Sequence, residues 1–166
     1  MFRTIEDFEM RWAGERESSL KVMRALTDAS LGQMVAPGGR SLGRIAWHIV
    51  QTLAEMGTHA GLKVEGADEK APQPAAAAAI ADAYAANAEA VARAVKAAWS
   101  DADLPGEIEM YGEKWTRGKA LAALITHEVH HRGQMTVLMR QAGLVVPGVY
   151  GPAREEWAAY GMPTQE

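Results

Sequence analysis

His127 and His131 stand four residues apart in a segment of strong helix formers, about Arg117 to Ala142. That spacing places both imidazoles on one helix face, about 6 Å apart at Cβ, so that one ion can bridge them. The face is an inward one, because Ala120, Leu124, His127, His131, Met135 and Leu138 follow the spacing of a core stripe. A second helical segment, about Leu42 to Gly61, carries His48 in line with Ile45 and Thr52, bordering the apolar stripe of Leu42, Ile49 and Leu53. A third ligand from a facing helix is therefore feasible. Three neutral imidazoles leave a divalent ion its full charge and an open position, the arrangement that lowers the pKa of a bound water towards neutrality. The competing reading is a set of buried histidines, each hydrogen-bonded to a neighbour. Several unpaired imidazoles in one core are costly without a common partner.

The other two histidines read differently. His59 follows His48 by eleven residues, about 16 Å along a helix, and is expected at the helix end or surface. His130 lies about 100° around the helix from His131 and is expected to be exposed or interfacial. The run His127-Glu128-Val129-His130-His131 is also a literal H-E-x-x-H, which in zincin proteases supplies two ligands and a general base. Its extended form fails, since Gln134 stands where a glycine is required, and a downstream ligand would have to be Glu155 or Glu156. A di-iron bundle needs a second Glu-x-x-His, and Glu128-x-x-His131 has no counterpart. The chain has no cysteine, so any metal rests on histidine or carboxylate and any thiol must arrive with a cosubstrate.

The elements that must position these residues can be read from periodicity and breaks. Helix 1 is expected from Thr4 to about Ala29, with Ile5, Phe8, Trp12, Leu20, Met23 and Leu26 as its apolar positions. Pro37-Gly38-Gly39 breaks the chain, and Ser41 is an N-cap candidate for helix 2. A polar linker, Lys63 to Gln73, leads to Pro74 and an Ala-dominated helix 3 reaching about Trp99. The alternating piece Glu107 to Tyr111 suggests an irregular hairpin or extended crossover, with no sheet expected. Thr116 caps helix 4, Gly143 closes it, and a short helical turn is expected around Arg154 to Tyr160. The fold class is all-α: one domain over residues 1–166, a four-helix bundle with long inter-helix connections.

Composition limits the partners. Lys plus Arg at 17 against Asp plus Glu at 21 gives a formal charge of −4, so no sequence-wide basic field attracts nucleic acid. No uncharged run reaches the roughly 18 apolar residues of a membrane helix. The first dozen residues lack the apolar core of a secretory signal, and a cytoplasmic location is expected.

Leu42-Gly43-Arg44-Ile45-Ala46-Trp47-His48-Ile49-Val50, His127-Glu128-Val129-His130-His131-Arg132-Gly133-Gln134 and Gly143-Leu144-Val145-Val146-Pro147 together resemble the DinB-like (DinB/YfiT) superfamily over nearly the whole chain. The resemblance implies a four-helix bundle, usually a homodimer, in which His48, His127 and His131 bind a divalent metal, commonly nickel or zinc. It also implies a choice of functions. Characterised relatives include S-transferases that use the low-molecular-weight thiols bacillithiol or mycothiol, and a mycothiol-dependent maleylpyruvate isomerase. The leading expectation is a metal-dependent enzyme of the thiol S-transferase or hydrolase type acting on a small molecule. The alternatives are a non-enzymatic dimeric stress or small-molecule-binding protein with a structural metal and, behind it, a zincin-type protease. In the enzyme reading Glu128 could orient or deprotonate the incoming group, with a solvent-facing or inter-helix role as the alternative. Trp47 and Tyr150 are candidates to line the pocket or to pack as core or lid. Arg44, Arg132 and Arg154 could hold the carboxylates of a cosubstrate or serve as surface charges.

Overall fold

The structure, a computed structural model, describes residues 2–164. Four helices carry the chain: α1 (Ile5–Arg24), α2 (Leu42–His59), α3 (Ala77–Ala98) and α4 (Arg117–Gln141). A two-stranded sheet, β1 (Glu107–Met110) and β2 (Glu113–Thr116), and short 3-10 segments at Asp28–Gly32, Asp101–Asp103 and Arg154–Tyr160 join them.

The helix starts are set by side-chain oxygens that take up otherwise unpaired N–H groups. Thr4, Ser41 and Thr116 accept from the amides of Asp7, Arg44 and Lys119. Two expected boundaries move. Helix 1 ends at Arg24 rather than near Ala29, because Thr27 and Ser30 form a reciprocal cap that starts a separate 3-10 turn, Asp28–Gly32. Helix 3 starts at Ala77 rather than at Pro74, and its N-terminal amide is satisfied from a distance: the Asp28 carboxylate accepts from Ala77 N at 2.7 Å. At the far end Gly143 takes φ +74° and closes α4, as a glycine just past a helix does.

Each helix has two neighbours. α1 packs on α3 and α4, and α2 packs on α3 and α4, giving the cyclic order α1–α3–α2–α4. The connections α1 to α2 and α3 to α4 therefore cross diagonals, while the equally long α2 to α3 linker joins neighbours. This order has a functional consequence, since it seats α4 directly against α2. One continuous core fills the bundle, with Phe8, Trp12, Val22, Leu42, Ile49, Ile80, Tyr84 and Met135 all buried. Trp12 buries its ring and still donates Nε1–H to the Ala88 carbonyl at 3.0 Å, tying α1 to α3. None of the described helices is long and apolar enough to cross a membrane.

The sheet corrects the expectation that residues 107–116 form none. Glu107 pairs with Thr116 and Met110 with Glu113 in an antiparallel hairpin. Its two-residue turn, Tyr111-Gly112, has φ +53° and +79°, the double left-handed conformation that matches strand twist in tight hairpins. The second strand escaped the sequence pattern because it runs straight into the Thr116 cap of α4. Met110 anchors the hairpin, fully buried against Ala60 and Ala120.

The linker between α2 and α3 is held by buried polar side chains. Trp47 donates to the Ala71 carbonyl, and Gln51 Nε2 lies within hydrogen-bond distance of the carbonyls of Asp68, Glu69 and Ala71. Asn87 donates to Val50 and Ala67 and accepts from Ala67 N. Gly66, at φ +147°, lies so close that a Cβ there would sit 1.9 Å from Asn87 Oδ1. Only glycine fits that position.

Candidate metal centre

The side-by-side placement of α2 and α4 brings His48 onto the His127–His131 pair. Each ring offers one nitrogen, and the three lie within 4.8 Å of one another. The ring centroids of His48 are 5.1 Å from His127 and 4.7 Å from His131, with the planes near perpendicular. His127 Nε2 and His131 Nε2 are 3.2 Å apart, close to the ~3.3 Å between two nitrogens of a tetrahedral site with metal–nitrogen bonds of about 2.0–2.1 Å. Neither His59 nor His130 joins them. His59 is the last residue of α2 and faces Glu55, and His130 is exposed and meets the Gln134 amide.

The cluster is electrostatically prepared for a cation. Burial, then the neighbouring imidazoles, push His48 and His127 down to about 4, and burial lowers His131 as well. The rings are thus neutral at neutral pH, the state a ligand needs. Gln134 adds orientation: its Oε1 lies 2.7 Å from His131 Nδ1, so Nδ1–H donates there and the lone pair on Nε2 turns towards the cluster. The donor set, three nitrogens without carboxylate or thiolate, suits zinc or nickel better than magnesium or calcium.

One side of the cluster opens into a cavity of about 460 Å3 bounded by Arg44, His48, Gln51, Tyr111, Trp115 and His127, among others. The hairpin forms its aromatic wall. Tyr111 donates its hydroxyl to the Glu55 carboxylate of α2 at 2.9 Å, and Arg44 is steadied by Gln51 Oε1 at 2.8 Å. Tyr111 and Trp115 were missed as candidate residues because one lies in the turn and the other on the second strand of the unexpected sheet.

The remaining candidates lie elsewhere. Glu128 turns away from the imidazoles into the bundle, where its Oε1 accepts from Ser19 at 2.7 Å and from Tyr84 at 2.9 Å. It is buried, and burial raises its carboxyl to about 7 against the lowering effect of those hydrogen bonds and of Arg132. Arg132 is neither a surface charge nor a free anion ligand: it is buried and donates to Glu15 Oε2 at 2.6 Å and to Ser19 Oγ at 3.0 Å. Tyr150 closes this network from outside, its hydroxyl 2.7 Å from Arg132 and 2.8 Å from Glu15. Trp47 is buried core and linker anchor, and Arg154 is exposed on the 3-10 segment. The downstream carboxylates that a protease would need are engaged elsewhere: Glu155 pairs with Arg140, and Glu156 accepts from the amides of Gly148 and Ala153.

The DinB family model matches residues 1–166. The chain is 43% identical over 162 residues to the uncharacterized protein YrdA of Bacillus subtilis (strain 168), covering 98% of this chain and 97% of that protein. Among crystal structures, a DinB-like protein from Bacillus cereus ATCC 10987 aligns with TM-score 0.87 and 47% identity, over 90% of this chain and all of the other. A DinB-like protein from Bacillus subtilis aligns with TM-score 0.67 over 86% of this chain and 97% of the other. At 17% identity it shares the fold alone.

Proposed function

The chain belongs to the DinB family, and from that premise we propose that it is a metal-dependent enzyme of the thiol S-transferase or hydrolase type, with His48, His127 and His131 as the ligands. The observation that carries this reading is the cross-helix convergence of three imidazole nitrogens beside a cavity that leaves one side of the cluster accessible. A purely structural ion calls for a closed shell of protein ligands. Three ligands and an adjoining cavity favour catalysis instead.

A divalent ion in such a site supplies Lewis acidity, lowering the pKa of a coordinated water or low-molecular-weight thiol so that the nucleophile is anionic at neutral pH. The chain's own residues do the rest. Gln134 fixes the His131 ring, Arg44 offers a cation at the cavity wall, and Tyr111 with Trp115 bounds the space on the hairpin side. Glu128 has no part in this scheme, since its carboxylate is committed to Ser19 and Tyr84. The homodimer belongs to the same reading, supported by the resemblance, and the cytoplasmic location is retained as part of it.

The test is a screen of the zinc- and nickel-loaded protein for conjugation of low-molecular-weight thiols to small electrophiles and for hydrolysis of small esters and amides, beside His48→Ala. Turnover present in the wild type and absent from the variant supports the reading. Full metal occupancy with no turnover of either kind in the wild type would favour the structural-metal alternative.

A further inference from the structure

A second cavity, of about 510 Å3, reaches the same cluster at a different ring. It is walled by His131 and Gln134 together with Val35, Ala36, Ile45, Val137 and Leu138, and Arg40 also lines it. The two cavities share no residue, the first meeting His48 and His127 and the second His131. Their chemistries differ. Glu55 and Glu69 line the first cavity, whereas the second has no carboxylate in its wall. Its apolar wall is left in solvent, with Val35 70% and Val137 55% exposed.

Arg40 supplies the one charge. Among the described residues it makes no hydrogen bond or ion pair, and it shares the cavity wall with His131. A guanidinium beside a centre that attracts cations is repulsive until an anion lies between them. An apolar wall with a free guanidinium and no acid is complementary to a molecule that is apolar at one end and anionic at the other.

We propose that this cavity is the subsite for a small amphiphilic carboxylate, its alkyl or aryl body against Val35, Ile45, Val137 and Leu138 and its carboxylate towards Arg40 and the histidine cluster. The proposal rests on the metal reading for the meaning of the cluster, and on the cavity wall alone for the ligand class. It divides the site in two: a polar side at His48 and His127, and an apolar side with an anion hook at His131.

The experiment is calorimetric titration of butanoate, hexanoate, octanoate and neutral octanamide into untagged protein, zinc-loaded and metal-free, with metal content and sedimentation measured on the same samples. The expected result is octanoate binding that tightens up to about fourfold per methylene along the series. Arg40→Gln weakens octanoate about tenfold, to the level of octanamide. Val137→Trp, which fills the cavity, removes binding, and Val35→Asp does so through charge if the tryptophan variant does not fold. Affinity independent of chain length, or unaffected by both cavity variants, overturns the subsite. So does a wild type that binds zinc but no octanoate, which leaves the metal reading intact. A wild type that takes no zinc but binds octanoate through the Val137 wall fails the metal reading and keeps the subsite. A wild-type dimer that Val137→Trp dissociates, with no octanoate binding, assigns the face to a second copy and overturns the proposal.

Discussion

Two faces of α4 carry polar clusters in the bundle, and they are built on opposite principles. Towards α2, His127 and His131 meet His48 with neutral rings, one nitrogen of each within 4.8 Å of the others. Towards α1 and α3, Glu128 and Arg132 meet Glu15, Ser19, Tyr84 and Tyr150, and nearly every polar atom finds a protein partner. Glu128 Oε2 is the exception, buried without a hydrogen bond; its carboxyl is raised to about 7. The second cluster is completed from within and acts as structure. The first gathers three imidazole nitrogens across two helices, a donor set that fits a divalent ion. Polar burial alone does not mark a candidate site; a convergent set of ligand nitrogens does.

This contrast predicts where substitutions act. The largest effect falls on the closed network: Arg132→Met takes the buried cation from Glu15 and leaves it only the exposed Arg11, a loss of about 3 kcal/mol in stability, or on the order of 10 °C in Tm for a chain of this size. Thermal denaturation reads it, and the folded fraction is expected to keep its metal. Tyr84→Phe removes one donor from Glu128 and costs about 1–2 kcal/mol by denaturant titration, again with metal content unchanged. Metal loss in either variant while the helical spectrum stays intact would show that the two faces are one site and break the comparison.

On the open face the order is reversed. Gln134→Ala frees the His131 ring and weakens metal affinity about tenfold in a chelator competition, with stability of the metal-free protein unmoved. His48→Ala shows the smallest change in metal-free stability, below about 1 kcal/mol, since it removes a half-buried imidazole whose partners are other imidazoles. Its effect on metal is complete. A metal-free His48→Ala that unfolds several degrees early would place His48 among the structural residues instead.

The open face was far more legible in the sequence than the closed one. His127 and His131 at helical spacing, on a stripe with Leu124 and Met135, made a third ligand from His48 feasible, and the family resemblance named the three-histidine cluster that forms. The helix caps at Ser41 and Thr116 were equally plain, being local chemistry. The closed network depends on partners 109 and 117 residues apart along the chain, Ser19 to Glu128 and Glu15 to Arg132. Its signal was present in register: Glu15 and Ser19 continue the Phe8–Trp12–Val22 core stripe, and Arg132 lies one turn after the buried Glu128. Charged residues at core positions on two helices were the clue to pair. A hairpin was one of two readings of Glu107 to Tyr111, but its pairing into a sheet was not expected. Its turn needs a positive φ at Tyr111, which side-chain type does not announce, and its loss concealed the aromatic wall of the cavity.

The central claim is that one ion is held across α2 and α4, and elemental analysis of untagged wild type, His48→Ala and His131→Ala tests it most directly. The account predicts about one zinc or nickel ion per chain in the wild type and none in either variant, all three remaining helical by circular dichroism. A wild type that is isolated without metal and takes up neither added zinc nor nickel would contradict it, as would variants that retain the wild-type metal content.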